Sequence, residues 1–505
     1  MTTATIEHVK CLIAGQWVEP QTDRYAEVWN PSTGEQLAAV PLCGPRDVDR
    51  AVTAALKAFH DWREVPIVDR AHFMFTFRHL LLQHADNIAR TVSLEHGKTL
   101  AESKASVQRG IEMVEFACGL PSLVTGEAIE NLAPNVDCET IRHPLGVVAG
   151  ITPFNFPAMV PLWMYPVAIT CGNCFILKPS PRVPLSANLI GRLLLDAGIP
   201  EGVFSIVHGG KEAVDALLTH PSVRALSFVG STPVAKYIYE TGTKNGKRVQ
   251  AAGGAKNHLI IMPDADLDQA VAGLQASAFG CAGERCMAGS LAIPVGKIAD
   301  DLVHRLAQSA ANMRVGRTDT PASNPDMGPV ISRDHMERVT QHIDDAHHAG
   351  AILALDGRNT RVTDAPNGFY VGPTIVDHVT PDMRIKKEEV FGPVLAVSRV
   401  NSLEDAIALG QQCEYGNGAV IFTRSGRAAR EFKHRFNAGM IGINVGVPAP
   451  MAWFPFTGWN ASFFGDLHIQ GKEGMTFYTQ QRMTMTRWFA GSERDQFDPV
   501  WRPGK

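Results

Sequence analysis

The sequence has no uninterrupted apolar run of about 18 residues, the length a membrane-spanning helix needs. Its nine cysteines in 505 residues are an odd number and widely scattered, which excludes a secreted disulfide framework. Basic excess is missing too. Forty-seven Lys and Arg against 51 Asp and Glu leave a formal charge of -4, so nothing holds a nucleic-acid backbone and small molecules are the expected partners. Residues Met1 to Lys10 lack the apolar core of a signal peptide and the arginine-rich face of a transit peptide, and a cytoplasmic protein with reduced thiols is expected. No Gly-x-Gly-x-x-Gly fingerprint opens a strand–helix unit, which argues against a standard Rossmann dinucleotide site. His258 and the pair His347-His348 have no partners at metal-ligand spacing, so no metal is expected.

What is present is the material of a large globular protein. The composition is 45% apolar and 19% charged, and the length exceeds what one core holds, so two or three domains are expected. Val48 to Trp62 and Val68 to His84 repeat apolar residues at helical spacing. From 141 onward short apolar runs alternate with helical stretches: 146–151, 174–177, 203–207 and 225–229. That alternation predicts βαβ units, hence an α/β fold with parallel sheets. A second stretch of this character runs from Asp264 to about 450, with strands expected at 395–400 and 418–422. The β-branched and aromatic segment 474–487 is expected to join a sheet, in this chain or a neighbouring subunit's.

Chemistry concentrates in Phe279-Gly-Cys-Ala-Gly-Glu-Arg-Cys286-Met-Ala288. A thiolate adds readily to a carbonyl, and a neighbouring cation such as Arg285 lowers a thiol's pKa. Alone, such a cysteine is more often inert packing. The spacing Cys171-Gly-Asn-Cys174 resembles a redox motif but falls at an apolar strand entry, where packing is the expected role. Cys281 is read as a bystander to Cys286.

The loop does not stand alone. Asn30-Pro-Ser-Thr-Gly-Glu35, Thr152-Pro-Phe-Asn-Phe-Pro157, Leu177-Lys-Pro-Ser180, Phe228-Val-Gly-Ser-Thr232 and Glu388-Glu-Val-Phe-Gly-Pro393 follow one another in an order that resembles the aldehyde dehydrogenase superfamily. That resemblance implies two α/β domains and a small β oligomerisation arm, divided here as 1–131 with 151–262 for NAD binding, 263–450 for catalysis, and 132–150 with 475–505 for the arm. It implies Cys286 as the catalytic nucleophile and Asn155 as donor to the oxyanion. By the same resemblance Lys178 and Arg182 meet the adenosine ribose, Ser231 faces the pyrophosphate, Glu389 holds the nicotinamide ribose with Phe391 beside it, and Thr152 and Phe154 complete the NAD contacts. Position 181 is proline, which offers a ribose 2′-hydroxyl no side-chain acceptor.

One departure is informative. Hydrolytic members of the superfamily carry Glu-Leu-Gly-Gly-Lys, whose glutamate activates water; aligning its lysine on Lys256 puts Ala252 at that glutamate. Without a base water deacylates poorly, by about 10²–10⁴-fold, and a thiol such as coenzyme A is the better acceptor. Gly254-Ala-Lys-Asn-His258, Gly283-Glu-Arg-Cys286, 444–452, 454–459 and 465–474 look like the methylmalonate-semialdehyde dehydrogenases within the superfamily. Their resemblance implies oxidation of malonate or methylmalonate semialdehyde with NAD+, loss of CO2 and acyl transfer to coenzyme A. It implies Arg109 and Arg285 as partners of the substrate carboxylate, and a homotetramer built as a dimer of dimers. The alternatives are a hydrolytic aldehyde dehydrogenase drawing a base from Glu284 or Glu389, and a catalytically silent homologue, which should have lost the nucleophile.

Overall fold

The computed structural model describes residues 6–320 and 323–488. Two parallel sheets organise it. The first runs, edge to edge, Phe463–Phe464, Arg248–Ala252, Val223–Val229, Val147–Ile151, Cys174–Lys178, Phe204–Ile206, Cys11–Ile13 and Gln16–Val18. Its five central strands are parallel, while the flanking Phe463–Phe464 and Cys11–Ile13 pair antiparallel to their neighbours. Val147–Ile151 is first in sequence among these five, with Cys174–Lys178 on one side and Val223–Val229 on the other. The chain reverses its winding there, leaving a crevice at the carboxyl ends of the strands, where open α/β sheets bind ligands.

The second sheet orders Ile352–Leu355, Thr374–Asp377, Val394–Val397, Gly289–Pro294, Asn257–Ile261, Gly418–Phe422 and Met440–Ile443. All its pairings are parallel except that of the edge strand Ile352–Leu355. The central strands of both sheets are uniformly buried, Val147–Ile151, Cys174–Lys178, Asn257–Ile261 and Gly418–Phe422 along their whole length, as in parallel sheets covered on both faces. Asn257–Ile261 therefore belongs with the second sheet, and the passage between sheets falls at 253–256, before the expected boundary at 262.

Thr479–Arg487 pairs antiparallel along its full length with Val136–Pro144, and Ala128–Ala133 completes a three-stranded arm. The carboxy-terminal strand thus joins a sheet of its own chain. Residues 147–150, expected to belong to the arm, instead form part of Val147–Ile151 in the heart of the first sheet, where all five residues are buried; the arm also starts earlier, at Ala128. Of the expected 475–505, residues 489–505 lie outside the described chain. The arm exposes Ile129, Leu132, Ile141, Met483, Met485 and Trp488. No helix among the described residues is long and apolar enough to cross a membrane.

Candidate active site

The connector 253–256 carries the chain from the carboxyl edge of the first sheet into the second, and the candidate site forms around it. Cys286 lies in the loop between the helix Leu267–Phe279 and the strand Gly289–Pro294. This loop has an unusual backbone. Cys281, Ala282 and Gly283 have φ of 53°, 51° and 71°, a left-handed run costing about 1–3 kcal/mol per non-glycine residue.

The loop is held from several sides. Glu102 Oε1 accepts from the Cys281 N–H at 2.6 Å, while its Oε2 accepts from the Thr99 N–H at 3.0 Å in the capping box that opens the helix Leu100–Cys118. The Asn155 Nδ2 donates to the Glu284 carbonyl at 3.1 Å. Two further amides pin the nucleophile itself, since Asn257 Nδ2 and Asn417 Nδ2 donate to the Cys286 carbonyl at 2.7 and 3.0 Å. Gly283 is fixed by both strain and space, because a Cβ there would stand 2.0 Å from the Gly392 carbonyl. Gly283→Ala is expected to destabilise by at least about 2 kcal/mol and to depress turnover, read by thermal melting and NADH formation together; an unchanged melt would contradict the clamp.

The thiol is not activated in this state. Cys286 is half-buried, and burial pushes its pKa up to about 12, with Glu389 adding to the rise; the backbone N–H groups of Cys286 and Met287 pull the other way, and Arg285 does so only after them. Arg285 therefore does lower the thiol pKa, as expected, but desolvation exceeds its field and the net shift is upward. With so high a pKa the thiolate fraction grows tenfold per pH unit. Iodoacetamide modification of the free enzyme at Cys286 is thus expected to rise steadily from pH 7 to 10, and a plateau by pH 8 would overturn this account.

The remaining site residues divide between two groups. Near Cys286, Asn155 is buried and keeps its second amide hydrogen available. Glu389 Oε1 accepts from the Ala255 N–H at 3.0 Å, and burial brings its pKa up to about 7. Phe391, at φ 58°, offers its carbonyl to His335 Nε2 at 2.6 Å. Phe154 packs among His96, His335 and Phe391, with the Arg182 guanidinium 5.7 Å from its ring centre. Arg285 points elsewhere: its guanidinium donates to the carbonyls of Ala276 and of Ser277, the latter at 2.9 Å, at the end of the helix Leu267–Phe279. Its buried Nε has no hydrogen-bond partner among the described residues. Arg109 is exposed on the helix Leu100–Cys118 and pairs with Glu112 at 3.0 Å.

At the crevice, the Thr152 N–H donates to the Lys178 carbonyl at 3.1 Å and its buried hydroxyl has no hydrogen-bond partner among the described residues. Ser231 is exposed at the N-cap of the 13-residue helix Thr232–Lys244, its hydroxyl uncommitted to the cap, where backbone N–H groups favour an anion. These groups, with Lys178, fit a dinucleotide lying across the switch point.

Glu284, named from the sequence only as an alternative base, sits among residues that the sequence reading did not single out. Glu284 accepts from the Ile331 N–H at 3.1 Å and stands 3.3 Å from His335 and 3.8 Å from His96; burial raises its pKa to about 8. The capping box at Thr99 gives Glu102 a local signal, whereas His335 and Ile331 have none. Cys171 and Cys174 are buried, at a helix end and a strand start, and burial pushes both thiols up to about 12, as packing cysteines behave.

A half-buried thiol, an amide at its loop and a sheet-edge crevice for a nucleotide define an oxidoreductase of the cysteine-dependent, dinucleotide-using kind. The chain belongs to the aldehyde dehydrogenase family, whose model matches residues 17–484. It is 52% identical over 480 residues to the malonate-semialdehyde dehydrogenase 1 of Geobacillus kaustophilus, covering 95% of this chain and 98% of that one. Among solved structures it is similar to the methylmalonate-semialdehyde dehydrogenase of Oceanimonas doudoroffii, with a TM-score of 0.94, 50% identity and coverage of 96% and 99% of the two chains. It is similar too to a protein of Sinorhizobium meliloti 1021 described as a methylmalonate-semialdehyde dehydrogenase and complexed with NAD, with a TM-score of 0.95, 44% identity and coverage of 97% and 100%.

Proposed function

We propose that this chain oxidises malonate or methylmalonate semialdehyde, and hands the decarboxylated acyl group to coenzyme A. The observation that carries the reading is Ala252. It ends the strand Arg248–Ala252, 2% exposed between Val229 and Phe463, and supplies no proton acceptor where hydrolytic relatives hold their base. The names borne by the relatives support the substrate class.

In this reading Cys286 adds to the aldehyde and Asn155 donates to the oxyanion that forms. NAD+, when bound, supplies the hydride acceptor, and Lys178, Arg182, Ser231, Thr152, Phe154, Glu389 and Phe391 are the residues that hold it. The product is a thioester on Cys286. Its carbonyl delocalises the carbanion left as the β-carboxylate departs as CO2, and a proton then completes the acyl chain. Thiol attack by coenzyme A forms propionyl- or acetyl-CoA and returns the Cys286 thiol. Before that, the substrate carboxylate engages Arg109 and Arg285. Arg109 is available because an exposed pair such as Arg109–Glu112 is worth only about 0–1 kcal/mol; Arg285 must leave the helix-end carbonyls.

Asn155→Ala is expected to lower kcat by about 10²–10³-fold, the usual effect of one oxyanion donor; kinetics within tenfold of the parent would remove Asn155 from this role. Mass analysis of the products from both semialdehydes tests the whole reading: acyl-CoA and CO2 support it, and accumulation of a free carboxylic acid without coenzyme A overturns it. The apolar side chains exposed on the arm, together with the family likeness, support a dimer of dimers, and the scattered, odd number of cysteines supports a cytoplasmic setting.

A further inference from the structure

The five parallel strands of the first sheet end at Ile151, Lys178, Ile206, Val229 and Ala252. The loops that leave them, 152–158, 179–184, 207–210, 230–231 and 253–256, contain no aspartate or glutamate. In doubly wound folds an acid beyond the second strand hydrogen-bonds the free 2′-hydroxyl of an adenosine ribose, whereas a 2′-phosphate is met by an arginine. Here the second strand, Cys174–Lys178, delivers Lys178, and its loop carries Pro181 and Arg182.

Lys178 is unusual in its surroundings. It is only 5% exposed, yet among the described residues its ammonium has no hydrogen bond or ion pair. Burial lowers its pKa to about 8, so it is a cation kept in a poor solvent with no counter-ion. Just beyond the next strand stands His208, whose Nε2 faces Asn188 Oδ1 at 3.0 Å and whose Nδ1 has no hydrogen-bond partner among the described residues. Arg182 is exposed; its guanidinium donates to Ser332 Oγ at 3.2 Å, and among the described residues no carboxylate is paired with it. The acids of this region are already committed: Glu284, whose carboxyl feels the Arg182 charge, accepts from the Ile331 N–H at 3.1 Å, and Glu95 accepts from the N–H groups of Leu185 and Ser186 at 2.7 and 3.0 Å.

We propose that Lys178 and Arg182 form a receptor for a phosphate on the adenosine ribose, and that the protein accepts NADP+ as well as NAD+. This rests on reading the crevice as the dinucleotide site. A 2′-phosphate would give Lys178 the counter-ion it lacks and give Arg182 a charge-assisted partner in place of a serine hydroxyl. The 3′-phosphate of coenzyme A has the same chemistry on the same nucleoside, so both sources must be distinguished.

The test measures equilibrium binding of 2′,5′-ADP against ADP to the whole protein, then kcat/KM with NAD+ and NADP+, and with coenzyme A against 3′-dephospho-coenzyme A. Expected results are tighter binding of 2′,5′-ADP than of ADP and a kcat/KM for NADP+ within about tenfold of that for NAD+. Pro181→Glu and Arg182→Gln should each cut the NADP+/NAD+ ratio by about tenfold or more, the scale of one charge-assisted contact. If 2′,5′-ADP binds no better than ADP and NADP+ is used more than about 10³-fold less efficiently than NAD+, the proposal is wrong. A selectivity for coenzyme A over its dephospho form that is lost in Arg182→Gln, with no 2′,5′-ADP preference, would overturn the NADP+ assignment and give the phosphate to coenzyme A. If 2′,5′-ADP is preferred while no semialdehyde is oxidised with either dinucleotide, the phosphate receptor stands and the functional reading falls.

Discussion

Replacing Cys286 by alanine is expected to lower NADH formation from a semialdehyde by at least about 10⁴-fold, as removal of a covalent nucleophile commonly does. The loss should be chemical. The loop is held through backbone atoms and neighbours, by Asn257 and Asn417 on the Cys286 carbonyl, Asn155 on the Glu284 carbonyl and Glu102 on the Cys281 N–H. None of these bonds uses the sulfur. The alanine variant should therefore melt as the parent does and still bind dinucleotide. Retention of more than about one per cent of the parental rate would mean that Cys286 is not the nucleophile.

The second large effect concerns the acyl acceptor. With coenzyme A omitted, the enzyme is expected to release a burst of NADH close to one per active site and then slow by about 10²–10⁴-fold, the worth of the missing general base. Ala252 cannot supply that base, and Glu284 is committed to the Ile331 N–H beside two histidines. Glu389 is the acid whose charge reaches Cys286. Ala252→Glu should accordingly raise the rate without coenzyme A, because it returns a carboxylate to the position from which hydrolytic relatives activate water. Steady-state turnover that is indifferent to coenzyme A would assign deacylation to water, with Glu389 as its base.

The parallel sheets were legible in the sequence because strands buried on both faces read as short apolar runs: those at 146–151, 174–177 and 418–422 fall on Val147–Ile151, Cys174–Lys178 and Gly418–Phe422. The arm was less clear. Val147–Ile151 follows Val136–Pro144 almost without a break, and only the alternation of exposure separates a two-faced arm strand from a buried one. Motif order located Cys286, Asn155, Glu389 and Phe391, and the fold brings them to one connector. The orientation of Arg285 was not readable, since it depends on whether two helix-end carbonyls or a ligand takes the guanidinium. Nor was the Glu102 clamp, whose partner Cys281 is 179 positions away; a capping box announces a helix start but not the use of its spare oxygen.

The pairing of Thr479–Arg487 with Val136–Pro144, closed by Thr479 opposite Pro144, has a consequence for how the protein is made. A ribosome adding about 5–20 residues per second emits Val136–Pro144 tens of seconds before Thr479–Arg487, and the first sheet waits too, for Phe463–Phe464. Through that interval Val136–Pro144 keeps an unsatisfied edge, a template for pairing with other nascent chains. Its charged and polar members, Asp137, Glu139, Thr140, Arg142 and His143, suit a strand that must stay solvated until synthesis is nearly complete.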